Sequence, residues 1–146
     1  MDRLDRKIVT ALADHARMSL KVLAATAGIA SPSAAERLKR LEERKVIAGY
    51  TIVASPASLG YPIQAMVRIN PLPGAMKDVE CLIQDSLQIV ECDRVTGEDC
   101  FYARLYCRSM DDLDVVLEPF HERARTNTAI IKGQSVERRL PPLQES

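Results

Sequence analysis

The amino-acid sequence predicts an α+β protein of two parts, a three-helix (winged) helix-turn-helix followed by a ferredoxin-like β-α-β-β-α-β domain. Two observations lead to this prediction. In the N-terminal third, apolar residues recur at three- and four-residue spacing, which is typical of amphipathic helices. From residue 62 onward, runs of alternating polarity and helical runs follow one another in the split β-α-β order.

The N-terminal third predicts three short helices, the first over residues 2–14. The second begins after Ser19, whose hydroxyl suits an N-cap, and ends at Gly28, where a left-handed backbone favours glycine. The third has Ser31 as its expected N-cap and Pro32 at its first helical position, where a missing N–H does no harm. Two helices joined by such a tight turn indicate a helix-turn-helix.

The third helix combines a narrow apolar stripe with a polar outer face. The stripe consists of Ala34, Leu38 and Leu41, spaced by four and three residues. The side chains that fall away from it are Ser33, Glu36, Arg37, Lys39 and Arg40. In a helix-turn-helix, the second of the two helices, here the third helix of the chain, lies in the major groove, where such groups read base edges. These residues alone leave two interpretations open, a DNA recognition helix and an ordinary solvated helix face.

Charge is distributed unevenly along the 146 residues. Twenty Lys and Arg balance twenty Asp and Glu, but residues 1–50 hold ten basic and six acidic side chains, and residues 51–125 hold seven and twelve. Because phosphate attracts basic and repels acidic surfaces, we expect DNA contact from the N-terminal part and another role for the remainder. No apolar run approaches 18 residues, and the chain opens with Asp2 and Arg3. We therefore expect no transmembrane helix, signal peptide or membrane partner, and a cytoplasmic location.

After residue 45 the helical spacing ends. Residues 46–53 predict a short extended segment or wing, and a Pro/Ser/Gly cluster follows. We therefore divide the chain into a DNA-binding domain of residues 1–53, a linker of residues 54–61 and a second domain of residues 62–146. In the second domain, we expect strands near residues 63–70, 89–96, 101–108 and 127–137, the last with a bulge at Gly133. We expect one helix near residues 75–87 and a second that begins after Ser109 and is kinked or shortened by Pro119. Helices would cover one face of this sheet, and self-association would cover the other, where we expect Arg68, Tyr102 and Tyr106.

The reactive side chains form no catalytic or metal-binding motif. The cysteines at positions 81, 92, 100 and 107 lack a C-x-x-C pair, and neither His15 nor His121 has a companion histidine. We therefore expect no catalytic residue, no metal ion, no cofactor and no enzymatic activity. The cysteines are open to two interpretations, buried apolar packing and redox or metal sensing.

Several segments, in this order and at these distances, resemble the Lrp/AsnC (feast/famine) family of transcriptional regulators. They are Leu4–Ile8, Arg17-x-Ser19, Gly28-Ile29, Glu36–Glu42, Val46–Tyr50 and Val95–Phe101. The resemblance implies a helix-turn-helix that binds double-stranded DNA. It also implies a second domain that dimerises, often assembles further into octamers, and binds a small effector, commonly an amino acid.

On the third helix, the resemblance favours contacts with DNA. We expect base-edge contacts from Ser33, Glu36 and Arg37, and phosphate contacts from Ser31, Lys39, Arg40 and Lys45. An ion pair between Glu36 and Arg40 is the alternative at their i, i+4 spacing. On this hypothesis, Arg37→Ala weakens operator binding with little change in melting temperature.

The resemblance also implies an effector pocket between the second domains of neighbouring dimers. The matching residues here are Gly97, Glu98, Asp99 and Cys100 in a turn, Met110 at a helix start, and Ala129, Ile130 and Ile131 in the last strand. Many family members have an aspartate in place of Cys100, and a neutral thiol cannot anchor an ammonium group. Three possibilities stay open: Glu98 or Asp99 anchors the effector, backbone groups hold it, or the protein does not respond to a simple amino acid.

The sequence thus predicts a sequence-specific DNA-binding regulator of transcription, acting as a homo-oligomer, with an amino acid as the expected effector. Two alternatives stay open. One is an oligomer that binds a metabolite and compacts DNA with low specificity, and the other is a thiol redox sensor that uses Cys100 or Cys107.

Overall fold

The chain divides into two compact units. The computed structural model describes residues 1–144, of which residues 1–52 and 136–144 form one unit and residues 53–135 the other. We predicted that residues 62–146 form the second domain; of these, residues 136–144 cluster with the first unit. The physical reason is apolar contact, because Leu143 packs against the core of the N-terminal helices.

Three helices form the core of the first unit: α1 (Arg3–Asp14), α2 (Leu20–Ala27) and α3 (Ser31–Glu43). Ser19 caps α2 by accepting a hydrogen bond from the Val22 backbone N–H at 3.3 Å, and Gly28 ends it with φ +76°. The predicted cap of α3 is wrong by one residue. Ala30 is the N-cap and makes no side-chain capping bond, so Ser31 is the first helical residue and Pro32 the second.

Residues 46–53 form no strand, so the predicted wing is absent. Instead, they fold back on the last turn of α3. The backbone N–H groups of Val46 and Ile47 both donate to the Leu41 carbonyl oxygen, at 2.9 and 3.1 Å. The Tyr50 hydroxyl donates to the Glu42 carboxylate at 2.7 Å, and burial together with this contact raises the pKa of Tyr50 to about 12.

The second unit is an antiparallel four-stranded sheet with two helices, which confirms the ferredoxin-like prediction. Its elements are β1 (Ile63–Pro71), α4 (Met76–Asp85), β2 (Ile89–Arg94), β3 (Phe101–Cys107), α5 (Met110–Leu117) and β4 (Ala124–Ile130), and the strand order is β2-β3-β1-β4. A 3-10 turn at Glu118–Phe120 follows α5, where Pro119 was expected to shorten the helix. The last strand begins three residues and ends seven residues earlier than predicted, so Gly133 lies beyond its end and forms no bulge.

The sheet buries one face and exposes the other. Ala65, Val67 and Ile69 of β1 are fully buried, together with facing residues of β3 and apolar residues of α4 and α5. On the opposite face, Arg68 and Tyr102 pair across β1 and β3 and are exposed, while Tyr106 is half-buried. The predicted open face is therefore present, and it carries charged and aromatic groups.

Candidate DNA-binding and effector sites

The outer face of α3 presents four of the predicted DNA-contacting side chains to solvent. Ser33, Glu36, Lys39 and Arg40 are exposed, whereas Ser31 is half-buried at the helix start. Ala34 and Leu41 fix this orientation, because both are buried on the opposite side of the helix. Lys39 makes an i, i+4 ion pair with Glu43 at 3.7 Å, but both side chains are more than half exposed. Such a pair contributes little to stability and leaves Lys39 available to phosphate.

Arg37 has a different position from the one predicted. Its Nη1 lies 2.6 Å from Asp2 Oδ2 and 2.7 Å from Asp5 Oδ1, so its guanidinium is bound to the start of α1. Asp2 also caps α1, since its Oδ1 accepts from the Asp5 backbone N–H at 2.8 Å. We predicted a base-edge contact by Arg37, whereas in this structure its side chain joins α3 to α1. The signal was present in the sequence, because two aspartates open the first helix.

The predicted effector turn connects β2 to β3. Gly97 has φ +116°, and Glu98 is exposed. The side chain of Asp99 is 27% exposed, and its Oδ2 lies 3.3 Å from Arg68 Nη1 on the open sheet face. Cys100 packs against the sheet core, and its carbonyl oxygen accepts from the Val95 backbone N–H at 2.9 Å. Asp99 is therefore the turn residue that presents a carboxylate beside a cation.

The remaining predicted effector residues lie at the opposite end of the sheet. Ile130 pairs with Ala65, and the Ile131 backbone N–H donates to the Gln64 carbonyl oxygen at 2.8 Å. Met110 begins α5 after the end of β3, where Cys107 pairs with Ile63. The turn instead precedes Phe101, which pairs with Ile69. Along β1, the partner of Phe101 lies six residues, or roughly 20 Å, from the level of Met110. It lies only three to five residues, or roughly 10–17 Å, from the residues that face Ala129–Ile131.

Three of the four members of the second group, all of them apolar, are exposed. Met110 and Ile130 are 51% and 44% exposed, and Ala129 is exposed beside them, whereas Ile131 is half-buried. Ile130 pairs with the buried Ala65 and so lies on the face that α5 covers, whereas Ala129 pairs with Met66 on the open face. Exposed apolar side chains such as Met110 and Ile130 suit contact with another chain or with the side chain of a ligand. They do not share a face with the Asp99–Arg68 pair inside one chain.

A cavity that sequence reasoning missed lies on the open sheet face. It has a volume of about 420 Å³ and is lined by Met66, Glu91, Asp93, Val95, Tyr102 and Arg104. Arg104 Nε lies 3.4 Å from Glu91 Oε2, and Arg104 Nη1 is buried without a hydrogen-bond partner among the described residues. The alternation of β3 did indicate which residues share this face. The bulge in β2 between Ile89 and Glu91, which aligns Glu91 with Arg104, has no comparable signal in the sequence.

Comparison with known families covers both units. The AsnC-type helix-turn-helix domain matches residues 1–42, and the Lrp/AsnC ligand binding domain matches residues 64–141. The chain belongs to the Lrp/AsnC family. This membership makes it a DNA-binding transcriptional regulator with a ligand-binding domain, as the sequence predicted.

Individual Lrp/AsnC proteins are similar to this chain in sequence and in structure. The chain is 31% identical to the transcriptional regulator LrpA of Mycobacterium tuberculosis, over 90% of this chain and 89% of that one. The structure of Bacillus subtilis LrpC shares the fold, with a TM-score of 0.89, 23% identity and coverage of 94% and 99% of the two chains. A feast or famine regulatory protein of M. tuberculosis, solved in complex with L-methionine, has a TM-score of 0.87, 29% identity and coverage of 96% and 97%.

No further class of site emerges from the described part of the chain. Within residues 1–144, no group of three His, Cys, Asp or Glu side chains is placed to hold a metal ion. No helix in that range is long and apolar enough to cross a membrane. Cys107 is fully buried, and burial raises the pKa of its thiol to about 11. A buried thiol that stays protonated is a poor nucleophile, so this residue does not suit the redox-sensor alternative.

Lys45 ends α3 in a strained conformation. Its φ is +57°, and its backbone N–H donates to the Glu42 carbonyl oxygen while that of Val46 donates to the Leu41 carbonyl oxygen. These two bonds form a Schellman motif, in which glycine usually occupies the left-handed position. A lysine at this position costs stability, and its exposed ammonium group was predicted to contact phosphate.

We predict that Lys45→Gly stabilises the first unit by about 1 kcal/mol, because glycine adopts a positive φ without steric cost. The same change should weaken DNA binding and lower the slope of log affinity against log salt by about 1, since one phosphate contact is lost. Thermal unfolding and salt titrations of DNA binding measure the two effects. Lys45→Asn is the matched control, because asparagine removes the charge and tolerates the left-handed backbone. A lower melting temperature for Lys45→Gly would contradict the assigned strain, and an unchanged salt slope would contradict the phosphate contact.

Proposed function

We propose that the protein is a cytoplasmic, sequence-specific regulator that binds operators as a homo-oligomer of dimers and responds to an amino acid. In this proposal, Ser33 and Glu36 contact base edges, while Ser31, Lys39, Arg40 and Lys45 contact phosphates. The exposed face of α3 supports this assignment, because Ser33, Glu36 and Arg40 share one side of the helix. Arg37 is excluded from it because its guanidinium is bound by Asp2 and Asp5.

One observation carries the proposal for the effector: Asp99 and Arg68 pair on the open face of the sheet, whereas Ile130 shares the face of the buried Ala65, on which α5 packs. A single copy of the chain cannot enclose a small ligand with groups from both faces. Two copies can do so if the turn of one faces Met110 and Ile130 of the other. The effector site is therefore an interface between second domains, and ligand binding is linked to assembly.

Asp99 and Arg68 are the groups suited to an amino acid. A zwitterionic ligand carries an ammonium and a carboxylate group, which match the Asp99 carboxylate and the Arg68 guanidinium respectively. Inserting the ligand replaces one exposed ion pair by two charge-assisted contacts. Cys100 contributes its backbone only, because its side chain packs towards the core.

The first experiment is a thermal-shift panel of the twenty L-amino acids, L-methionine included, with wild type and Asp99→Asn. A ligand that binds only the folded protein raises the melting temperature with the logarithm of its concentration. We expect one or a few amino acids to stabilise the wild type, and the shift to be lost in Asp99→Asn. Asp85→Asn, at an exposed position of α4, is the matched control and should retain the shift. Light scattering with and without the stabilising amino acid then measures its linkage to assembly. A panel in which no amino acid raises the melting temperature would contradict the proposal of an amino-acid effector.

The second experiment concerns DNA. We expect selection from a random duplex pool to yield a two-fold operator, and Arg40→Ala to weaken binding with little change in melting temperature, because Arg40 is exposed. Steep salt dependence without an enriched sequence would instead support the low-specificity compacting alternative. Repeating the operator titration under oxidant and reductant tests the redox alternative, which predicts that the affinity differs.

A further inference from the structure

The segment that follows the second unit in the chain returns to the helix-turn-helix unit. Residues 136–144, here called the C-terminal strap, cluster with residues 1–52. Leu143 is half-buried and packs against the apolar core of Ile8, Leu12 and their neighbours. The adjoining backbone is also held, because Arg6 Nη1 donates to the Gln144 carbonyl oxygen at 3.3 Å.

The strap follows the outer side of α1. Thr10, Asp14 and Leu143 line two neighbouring cavities of about 460 and 380 Å³, the second of which also includes Arg138 and Arg139 of the strap. The strap therefore lies along more than one turn of α1 instead of making a single contact at its end. It also brings two arginines to the unit that already carries the basic surplus.

The core of the helix-turn-helix unit is small, so packing by the strap affects its stability. Its core contains seven buried residues from three short helices, and a core of this size is marginal by itself. Moreover, α1 holds α3 in place, because Asp2 and Asp5 bind Arg37. A displacement of α1 therefore also displaces α3, the helix that presents Ser33, Glu36 and Arg40.

We propose that the C-terminal strap is a working part of the DNA-binding unit, in which Leu143 is a positioning residue that docks on α1 and thereby orients α3. DNA binding then depends on residues that follow the second unit, residues 53–135, in the chain. The segment that covers the outer side of α1 belongs to the same chain, and its apolar side chain, Leu143, packs against an apolar core. The two units are accordingly connected by two chain segments, one before β1 and one after β4.

The test uses the full chain with Leu143→Ser, Leu143→Met and Val136→Ser. Val136 also lies in the strap but is 59% exposed, which makes it the matched control. We expect Leu143→Ser to speed hydrogen exchange at α1 and α3 amides by about fivefold or more, and to leave the β1 and β3 amides unchanged. Affinity for a mixed-sequence duplex of about 30 base pairs at low salt should fall by a similar factor. Leu143→Met should restore both properties, because it preserves apolar volume.

A chain ending at Ser135 should reproduce the effects of Leu143→Ser. If that truncated chain does not fold, the point variants alone decide the outcome. Unchanged exchange at α1 in Leu143→Ser would overturn the proposal, as would equal effects of Val136→Ser and Leu143→Ser. Faster exchange at α1 with undiminished DNA affinity would also overturn it, since the strap would then stabilise the unit without serving DNA binding.

Discussion

Replacing Arg37 with alanine should lower the free energy of unfolding of the helix-turn-helix unit by about 1–3 kcal/mol. The substitution removes the partner of Asp5, whose side chain is only 12% exposed and lies 2.7 Å from the Arg37 guanidinium. A buried carboxylate that loses its charged partner keeps the cost of desolvation without its compensation. For a unit of this size, each kcal/mol corresponds to roughly 4–8 °C in melting temperature, which calorimetry or circular dichroism measures.

Arg40→Ala is the matched control, since it removes an arginine three positions later on the exposed side of the same helix. We expect the two variants to affect different properties. Arg40→Ala should weaken DNA binding at nearly unchanged melting temperature, whereas Arg37→Ala should lower the melting temperature and weaken DNA binding only through the loosened α3. The opposite pattern would restore Arg37 as a base-reading residue and contradict its assignment to α1.

The stability difference between wild type and Arg37→Ala should also depend on pH. The Asp5 backbone N–H and the Arg37 guanidinium hold the pKa of Asp2 below its ordinary value of 3.8, and the two aspartates raise the pKa of Arg37. A lowered carboxyl pKa contributes stability that is present above the unfolded pKa and is lost as pH falls through the folded value. The gap between the two proteins should therefore be complete at neutral pH and shrink below pH 3.8.

Replacing Gly97 with alanine should destabilise the ligand-binding domain by about 1–2 kcal/mol. Gly97 has φ +116°, a backbone conformation that residues with a Cβ rarely adopt. A Cβ there would meet nothing within 4 Å, so the cost comes from the backbone alone. Because Asp99 lies two residues further on, a rearranged turn should also displace its carboxylate from Arg68. Thermal unfolding measures the first effect, and the amino-acid panel measures the second as a reduced ligand shift.

Gly133→Ala is the control for Gly97→Ala. A Cβ at Gly133 likewise meets nothing within 4 Å, but its φ lies outside the left-handed region, so alanine should be tolerated. Equal destabilisation by the two substitutions would show that general loss of glycine, and not the turn conformation, is responsible. An unaltered ligand shift in Gly97→Ala would separate this turn from the effector site.

The sequence by itself determined the elements and their order, because local physics dictates them. Apolar spacing placed the helices around Leu23 and Leu41, Gly28 ended α2, and strict alternation placed Phe101, Ala103, Leu105 and Cys107 on one face of β3. Both the exposed face of α3 and the family motifs are features of residues close together in the chain. They were therefore predictable without coordinates.

Only the tertiary structure decided which distant residues meet. Arg37 on the recognition helix looked like its exposed neighbours, but it binds Asp2 and Asp5, 35 and 32 residues earlier. The register of the sheet placed Ile130 and the Asp99–Arg68 pair on opposite faces, and the packing of Leu143 assigned residues 136–144 to the first unit. Local propensity carries no information about such contacts, because they arise when packed elements place charges and apolar surfaces from distant positions side by side.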